Sequence, residues 1–331
     1  MDLTDQNIKK ELELKTQGIL VDDLVAEAGR KILSLQFARM IGHEPGTRLG
    51  ADAEELHDMR VATRRMRVAF EVFEPFFKKK AIKPYIKGLR GAARALGGVR
   101  DLDVFLDELN DYLASVPENE RPEYKILLSQ WREEHNKARL KMLRFLDSDR
   151  YQIFTQQFVQ FLNTPDEGSR RLETVQPNQV REFAPKIIYE RLAAVQSHER
   201  VLGNAAIKEL HTLRIRLKKL RYTVEFFGDV LTSESKEIIR SIKILQDHLG
   251  KLNDADAACQ MVNEFIAASE KEQSTLPVHE RANPEPMFMY LAKKENERQR
   301  LLATFPQLWQ TIMGKEFSEK LAEAISALQT A

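Results

Sequence analysis

Two stretches of this chain are copies of one cationic helix, and any fold it adopts must find a place for both. Residues 56–73 and 210–227 align without a gap at an offset of 154. His57 falls on His211, Arg60 on Arg214, Arg64 on Lys218, Arg67 on Arg221, Glu71 on Glu225 and Phe73 on Phe227. At about 100° per residue, the His, +3, +7 and +10 positions share a sector of roughly 80° and extend over about 15 Å. Each copy therefore presents an imidazole and three cations along one side. A chain that builds this ridge twice is suited to holding something long and negative.

The apolar residues of the same helices set where those ridges point. In the first copy Met59, Ala62, Met66, Ala69, Phe70 and Phe73 form a stripe; in the second, Leu213, Leu217, Leu220, Val224 and Phe227 do so. The cations border these stripes instead of lying opposite them, so they are placed to line a groove between packed helices. Arg65 and Lys219 point elsewhere and read as solvated. Glu71 and Glu225 follow Arg67 and Arg221 by four residues and read as carboxylates that orient those arginines. The next helix carries a second stripe, Lys83, Lys87, Arg90 and Arg94. A shift of 153 takes it to Lys236, Arg240, Lys243 and Asp247, so the second half loses one cation and the two halves are expected to bind unequally. Gly88 and Gly91 each cost a helix about 1 kcal/mol relative to alanine, which points to close approach by a neighbouring helix or by a ligand.

The repeat continues at the offset of 153: Leu-Gly-Gly-Val-Arg-Asp-Leu-Asp at 96–103 matches Leu-Gly-Lys-Leu-Asn-Asp-Ala-Asp at 249–256. The glycines read as turns, and Asp101, Asp103, Asp254 and Asp256 as N-caps of the helices that follow, with buttressing of nearby cations as a further role. Long stretches of 3.6-residue periodicity and no convincing strand make the chain all-α. Helices are predicted over 20–42, 54–77, 79–96, 101–114, 122–147 and 150–163, then 183–200, 206–231, 234–249, 254–270, 287–304, 306–313 and 315–329. The organisation that results is an N-terminal extension (1–19), a first helical half (20–163), a turn-rich linker (164–182), a second half (183–313) and a C-terminal helix (314–331). Pro277, Pro284 and Pro286 mark 271–287 as an exposed loop. Two pseudo-twofold-related helical bundles are the economical arrangement, and it sets the ridges facing one central space. The tail pattern Phe317, Leu321, Ile325 and Leu328 suits packing on this chain or on another.

Net charge is only +1 over 331 residues, yet between His57 and Arg100 twelve basic residues stand against three acidic ones, a local +9. That local field is what a polyanion meets. The single cysteine, Cys259, allows no internal disulfide, reads as a buried thiol and fits a reducing cytoplasm. No secretory leader and no run of about 20 apolar residues is apparent, so neither export nor a membrane partner is expected. Enzyme signatures are missing: no phosphate loop ending in Lys-Ser/Thr, no His-Glu-x-x-His, no cysteine pair for zinc and no tight carboxylate cluster for magnesium. No cofactor or resident metal is therefore expected, although His57 and His211, matched in both copies, keep metal chelation open as an alternative. Nucleic acid calls for aromatic platforms beside the cations. Tyr222 and Tyr85 lie near cations, but most aromatics follow the core stripe, so a polyanion without bases fits better and no specific nucleic acid is expected.

These paired motifs resemble the CHAD domain (conserved histidine α-helical domain). The segment Leu-His-Asp-Met-Arg-Val-Ala-Thr-Arg-Arg-Met-Arg at 56–67, with the motif at 96–103, is similar to its first half. His-Thr-Leu-Arg-Ile-Arg-Leu-Lys-Lys-Leu-Arg-Tyr at 211–222, with 249–254, is similar to its second. The resemblance spans roughly 20–313. It implies two pseudo-twofold-related four-helix bundles around a basic central channel, and binding of inorganic polyphosphate by a cytoplasmic protein associated with polyphosphate granules and their proteins. Carried over by position, it implies ligand contacts from His57, Arg60, Arg64, Arg67, Arg90 and Arg94, and from His211, Arg214, Lys218, Arg221 and Lys243. Lys87 and Arg240 join them from the basic stripes. Many relatives carry a fused triphosphate-tunnel domain of the CYTH type, for which this sequence is expected to have no room, so a non-enzymatic role is expected. The alternatives are an accessory or regulatory phosphate- or metal-chelating domain, or a phosphohydrolase acting on polyphosphate or triphosphate.

Overall fold

A computed structural model describes residues 18–170, 177–274, 277 and 283–330. Most of the predicted N-terminal extension, the middle of the linker and much of the predicted loop at 271–287 lie outside those residues. The described chain forms ten α-helices and no strand: α1 (Val25–Leu49), α2 (Ala53–Phe73), α3 (Lys79–Ala114), α4 (Lys125–Leu146), α5 (Asp149–Asn163), α6 (Val180–Gln196), α7 (Ile207–Phe226), α8 (Ser235–Gln273), α9 (Glu285–Ile312) and α10 (Lys315–Thr330). Two isolated β-bridges, Leu24–Gln179 and Phe77–Ser169, tie the described parts of the predicted linker to the starts of α1 and α3.

Three pairs of predicted helices are single helices. The segments 79–96 and 101–114 fuse into the 36-residue α3, 234–249 and 254–270 into the 39-residue α8, and 287–304 and 306–313 into α9, with Pro306 inside it. Gly97, Gly98 and Gly250 therefore stand in helix, not in turns. Packing on both sides of them offsets their intrinsic cost of about 1 kcal/mol each. Leu96 and Val99 are buried in the main core, while Phe105 and Leu109 are buried in a second one. The fusion also corrects the N-cap reading of Asp101, Asp103, Asp254 and Asp256, all of which lie well inside α3 or α8. True caps are found elsewhere: Asp52 accepts from Glu54 N at 2.9 Å ahead of α2, and Ser148 accepts from Tyr151 N ahead of α5.

The main core draws on both halves, with Phe37, Phe70, Phe73, Phe158, Leu217, Phe227, Ile242 and Phe305 among its buried members. At its centre the repeat-related Phe73 and Phe227 rings stand 6.0 Å apart. The helix α10 belongs to this core: Phe317, Leu321, Ile325 and Leu328 are all buried in it, so the tail packs on its own chain. The second, smaller core joins the far ends of α3 and α8 to α4 and α9 through Phe105, Leu109, Trp131, Val262 and Tyr290. Gly88 and Gly91 are spent on close approach, as expected: a Cβ on Gly88 would fall 2.2 Å from the Phe154 ring of α5, and one on Gly91 3.1 Å from Phe145 of α4.

Candidate anion site

The seam between the two cores holds a cavity of about 560 Å³, walled by the starts of α2 and α7 and by the middles of α3 and α8. On α3 its lining begins just past Val99 of the main core and takes in Phe105 of the second; on α8 it begins just past Leu252 and takes in Ala258. From α2 it receives His57, Arg60 and Arg64, and from α7 the repeat-related His211, Arg214 and Lys218. Each ridge thus brings its first three positions to one space, because the apolar stripes beside them pack inward: Met59, Met66, Leu213 and Leu217 are fully buried.

The remaining predicted contact residues lie outside that lining. Arg67 is exposed, as are Lys87, Arg90 and Arg94 on α3 and Arg240 and Lys243 on α8. Arg90 and Arg94 nonetheless share the side of α3 that carries Asp101, eleven and seven residues before it, or about 16 and 10 Å along the axis. Arg221 is half-buried, 3.4 Å from Glu225, with its guanidinium over the Tyr222 ring. Glu225 thus pairs with Arg221 as predicted, and both carboxylates also have a task that was not predicted. Glu225 takes Arg65 at 2.5 Å and Glu71 takes Lys219 at 2.6 Å, both across the α2–α7 contact. Arg65 and Lys219, which read as solvated, are thus bridging residues. A single helix seen alone cannot show that its outer face meets another helix.

Five polar lining residues escaped the site prediction: Arg100, Asp101, Glu108, Asn253 and Asp254. All but Glu108 fall in the second repeated motif, which was the available signal; reading its glycines as turns hid it. Asp101 sits 3.1 Å from Arg60, and the charge of Asp254 acts on Arg214 in the equivalent place. Asp103 and Asp256 turn to the next helix instead, meeting His135 of α4 at 2.7 Å and Arg298 of α9 at 3.0 Å. The alternating aspartates therefore buttress a cavity arginine and anchor a neighbouring helix. Glu108 is held at 2.6 Å by Lys294, a buried lysine of α9. His211 Nδ1 donates to Asn253 Oδ1 at 2.9 Å, which leaves Nε2 as the free ring nitrogen.

The cavity is over-supplied with positive charge. Burial pushes the Lys218 amine down to about 7, helped by Arg214, Arg64, Arg60 and Arg221 in that order. Burial and then Arg100 hold the His57 imidazole below its ordinary value, so it is neutral at pH 7 with the cavity empty. Arg214 is lowered by burial against the opposing pull of Asp254, yet a guanidinium stays charged at neutral pH. Such a field stabilises an incoming anion and repays it with fork-shaped donors. Neither tyrosine near the cations offers a platform for base stacking: the Tyr222 ring is fully buried, and Tyr85 stacks on Phe158 in the core. Among the described residues no group of three or more His, Cys, Asp or Glu side chains is disposed to hold a metal ion. Cys259 is buried, and burial raises its thiol pKa. No helix among the described residues is long and apolar enough to cross a membrane.

Comparison with known proteins agrees with this architecture. A family model described as the CHAD domain matches residues 31–263. The fold is similar to the crystal structure of the CHAD domain from the plant Ricinus communis, with a TM-score of 0.63 at 20% identity over 96% of each chain. It is also similar to PptA from Streptomyces chartreusis, with a TM-score of 0.61 at 15% identity over 87% of this chain and 100% of that one. No curated protein sequence matches the chain.

Proposed function

The chain belongs to the CHAD domain family, and from that premise we propose that it binds inorganic polyphosphate, without turning it over, in the cavity between α2, α3, α7 and α8. The observation that carries this reading is the convergence of Arg60, Arg64, Arg100, Arg214 and Lys218 on one half-buried space, where burial, and then the crowding of Arg214, Arg64 and Arg60, push the lysine down to about 7. An anion with many closely spaced oxygens relieves that crowding at every point along its length.

A pseudo-twofold arrangement of two helical bundles around a basic channel is supported by pairs that exchange under the offset of 154. Arg65–Glu225 becomes Lys219–Glu71, and Phe73 meets its own counterpart Phe227. A phosphate chain leaving the cavity along α3 passes Arg94, Arg90 and Lys87, while along α8 it meets Asp247 before Lys243 and Arg240. Exposed Arg67 extends the first of these paths. Attachment to polyphosphate granules in the cytoplasm follows from the same affinity.

Titration calorimetry with polyphosphates of graded length tests the reading. Affinity rises with chain length and falls steeply with salt, since counterion release scales with the phosphates neutralised. Reversing both arginines, Arg60→Glu with Arg214→Glu, abolishes binding and leaves helical circular dichroism unchanged. Triphosphate binding as tightly as long chains would sink the proposal, as would effective competition by RNA at equal charge. Release of orthophosphate by the purified protein with a divalent ion would replace it by the phosphohydrolase reading.

A further inference from the structure

The ridge residue Arg64 has a partner that no feature of its own helix supplies. Its Nε donates to the hydroxyl of Tyr222, on α7, at 2.9 Å. The Tyr222 ring is fully buried and has three guanidiniums about it, those of Arg221 at 5.0 Å, Arg65 at 5.3 Å and Arg64 at 5.8 Å from its centroid. We propose that Tyr222 is a positioning residue for anion binding, which fixes the Arg64 guanidinium by its Nε and leaves the two terminal nitrogens to phosphate oxygens. The proposal rests on the polyphosphate reading of the cavity.

The repeat itself argues for this role. Under the offset of 154, Arg64 corresponds to Lys218 and Tyr222 to Val68. A lysine has no Nε–H to hold, and at the counterpart of Tyr222 the chain has a valine with no acceptor. The hydroxyl is thus supplied to the ridge position that carries a guanidinium and not to its repeat counterpart, a lysine. Core filling alone does not account for it, since Val68 occupies the corresponding place and is also buried. A buried phenol needs a partner, and Tyr222 takes it from a cavity arginine. A guanidinium fixed at one edge loses less freedom when it engages phosphate, so part of the ordering cost is met before the ligand arrives.

Tyr222→Phe keeps the ring and removes the hydroxyl. It is expected to weaken long-chain polyphosphate binding about fivefold, the loss of one charge-assisted hydrogen bond. In an Arg64→Lys background the same change is expected to cost less than about twofold, because the two residues act as a pair. Equal losses in both backgrounds, or none in the first, overturn the proposal. A ligand-free measurement separates this from the polyphosphate reading. The Arg64 Nε–H resonance, assigned by its disappearance in Arg64→Lys, is expected to be slowly exchanging in the wild type and fast in Tyr222→Phe. Fast exchange in the wild type overturns the positioning role even if polyphosphate binds. Wild-type protein that does not bind polyphosphate overturns the cavity reading, and the resonance still decides what Tyr222 does.

Discussion

The α2 and α7 walls of the cavity come from one pattern, and their differences show how a repeat becomes lopsided. On the α2 side Arg60 and Arg64 stand with Arg100 of α3, all guanidiniums. On the α7 side the same places hold Arg214, Lys218 and Asn253. The first wall keeps its charge at any physiological pH, while the second holds the amine that burial, helped by the surrounding arginines, pushes down to about 7. On the proposed reading the first wall supplies a constant grip, and the second a charge that returns when an anion binds.

The largest expected effect sets the walls directly against each other. At pH 8.5, Arg64→Glu weakens polyphosphate binding about a hundredfold and Lys218→Glu about tenfold, because the second replaces a group already neutral in the empty cavity. Equal losses at that pH would remove the distinction. A smaller effect, about fivefold, is expected on giving the second wall what it lacks: Asn253→Arg tightens binding, and Arg100→Asn loosens it to a similar degree.

Proton linkage sharpens the comparison further. The Lys218 amine in the empty cavity sits near 7, below its ordinary value, and phosphate oxygens raise it. Binding above pH 7 therefore takes up a proton, and affinity declines as pH rises from about 7 towards the ordinary lysine range. The free protein behaves in the opposite sense: over the same window its unfolded state holds more protons, so its stability rises with pH. Calorimetry in buffers of different ionisation heat at pH 8 reads the uptake, and Lys218→Arg is expected to remove it. The smallest effect concerns the long helices behind the walls. A Cβ at Gly98 or Gly250 meets nothing within 4 Å, so Gly98→Ala and Gly250→Ala each stabilise by about 0.5–1 kcal/mol in denaturant melts. Unequal gains would show that α3 and α8 are not equivalent supports.

Much of this site was legible in the chain. The side on which His57, Arg60 and Arg64 lie, and their doubling in His211, Arg214 and Lys218, follow from helical spacing beside an apolar stripe. Those six residues do meet in one cavity. Glycines at 97, 98 and 250 misled, since local propensity reads them as breaks, whereas Leu96, Val99 and Phe105 pack on both sides of the first pair and α3 runs on through it. The N-cap reading of the aspartates went wrong for the same reason, while the buttressing role was borne out at Asp101. The solvated reading of Arg65 and Lys219 went wrong for another, and Glu71 and Glu225 were read only in part: the partners across α2 and α7 lie about 160 and 148 residues away along the chain, beyond anything the helical spacing of one segment can report.

The sequence alone determined an all-α chain, a repeated cationic ridge and the side of each helix that faces inward, because these depend on periodicities of three to four residues and on a fixed offset. The tertiary structure alone decided which cations share a cavity, which are bridged across α2 and α7, and that a buried tyrosine holds Arg64. Those outcomes turn on the distance between helices far apart in the chain, and the pull between charges, like the cost of burying them, is set by that distance and by the solvent it excludes.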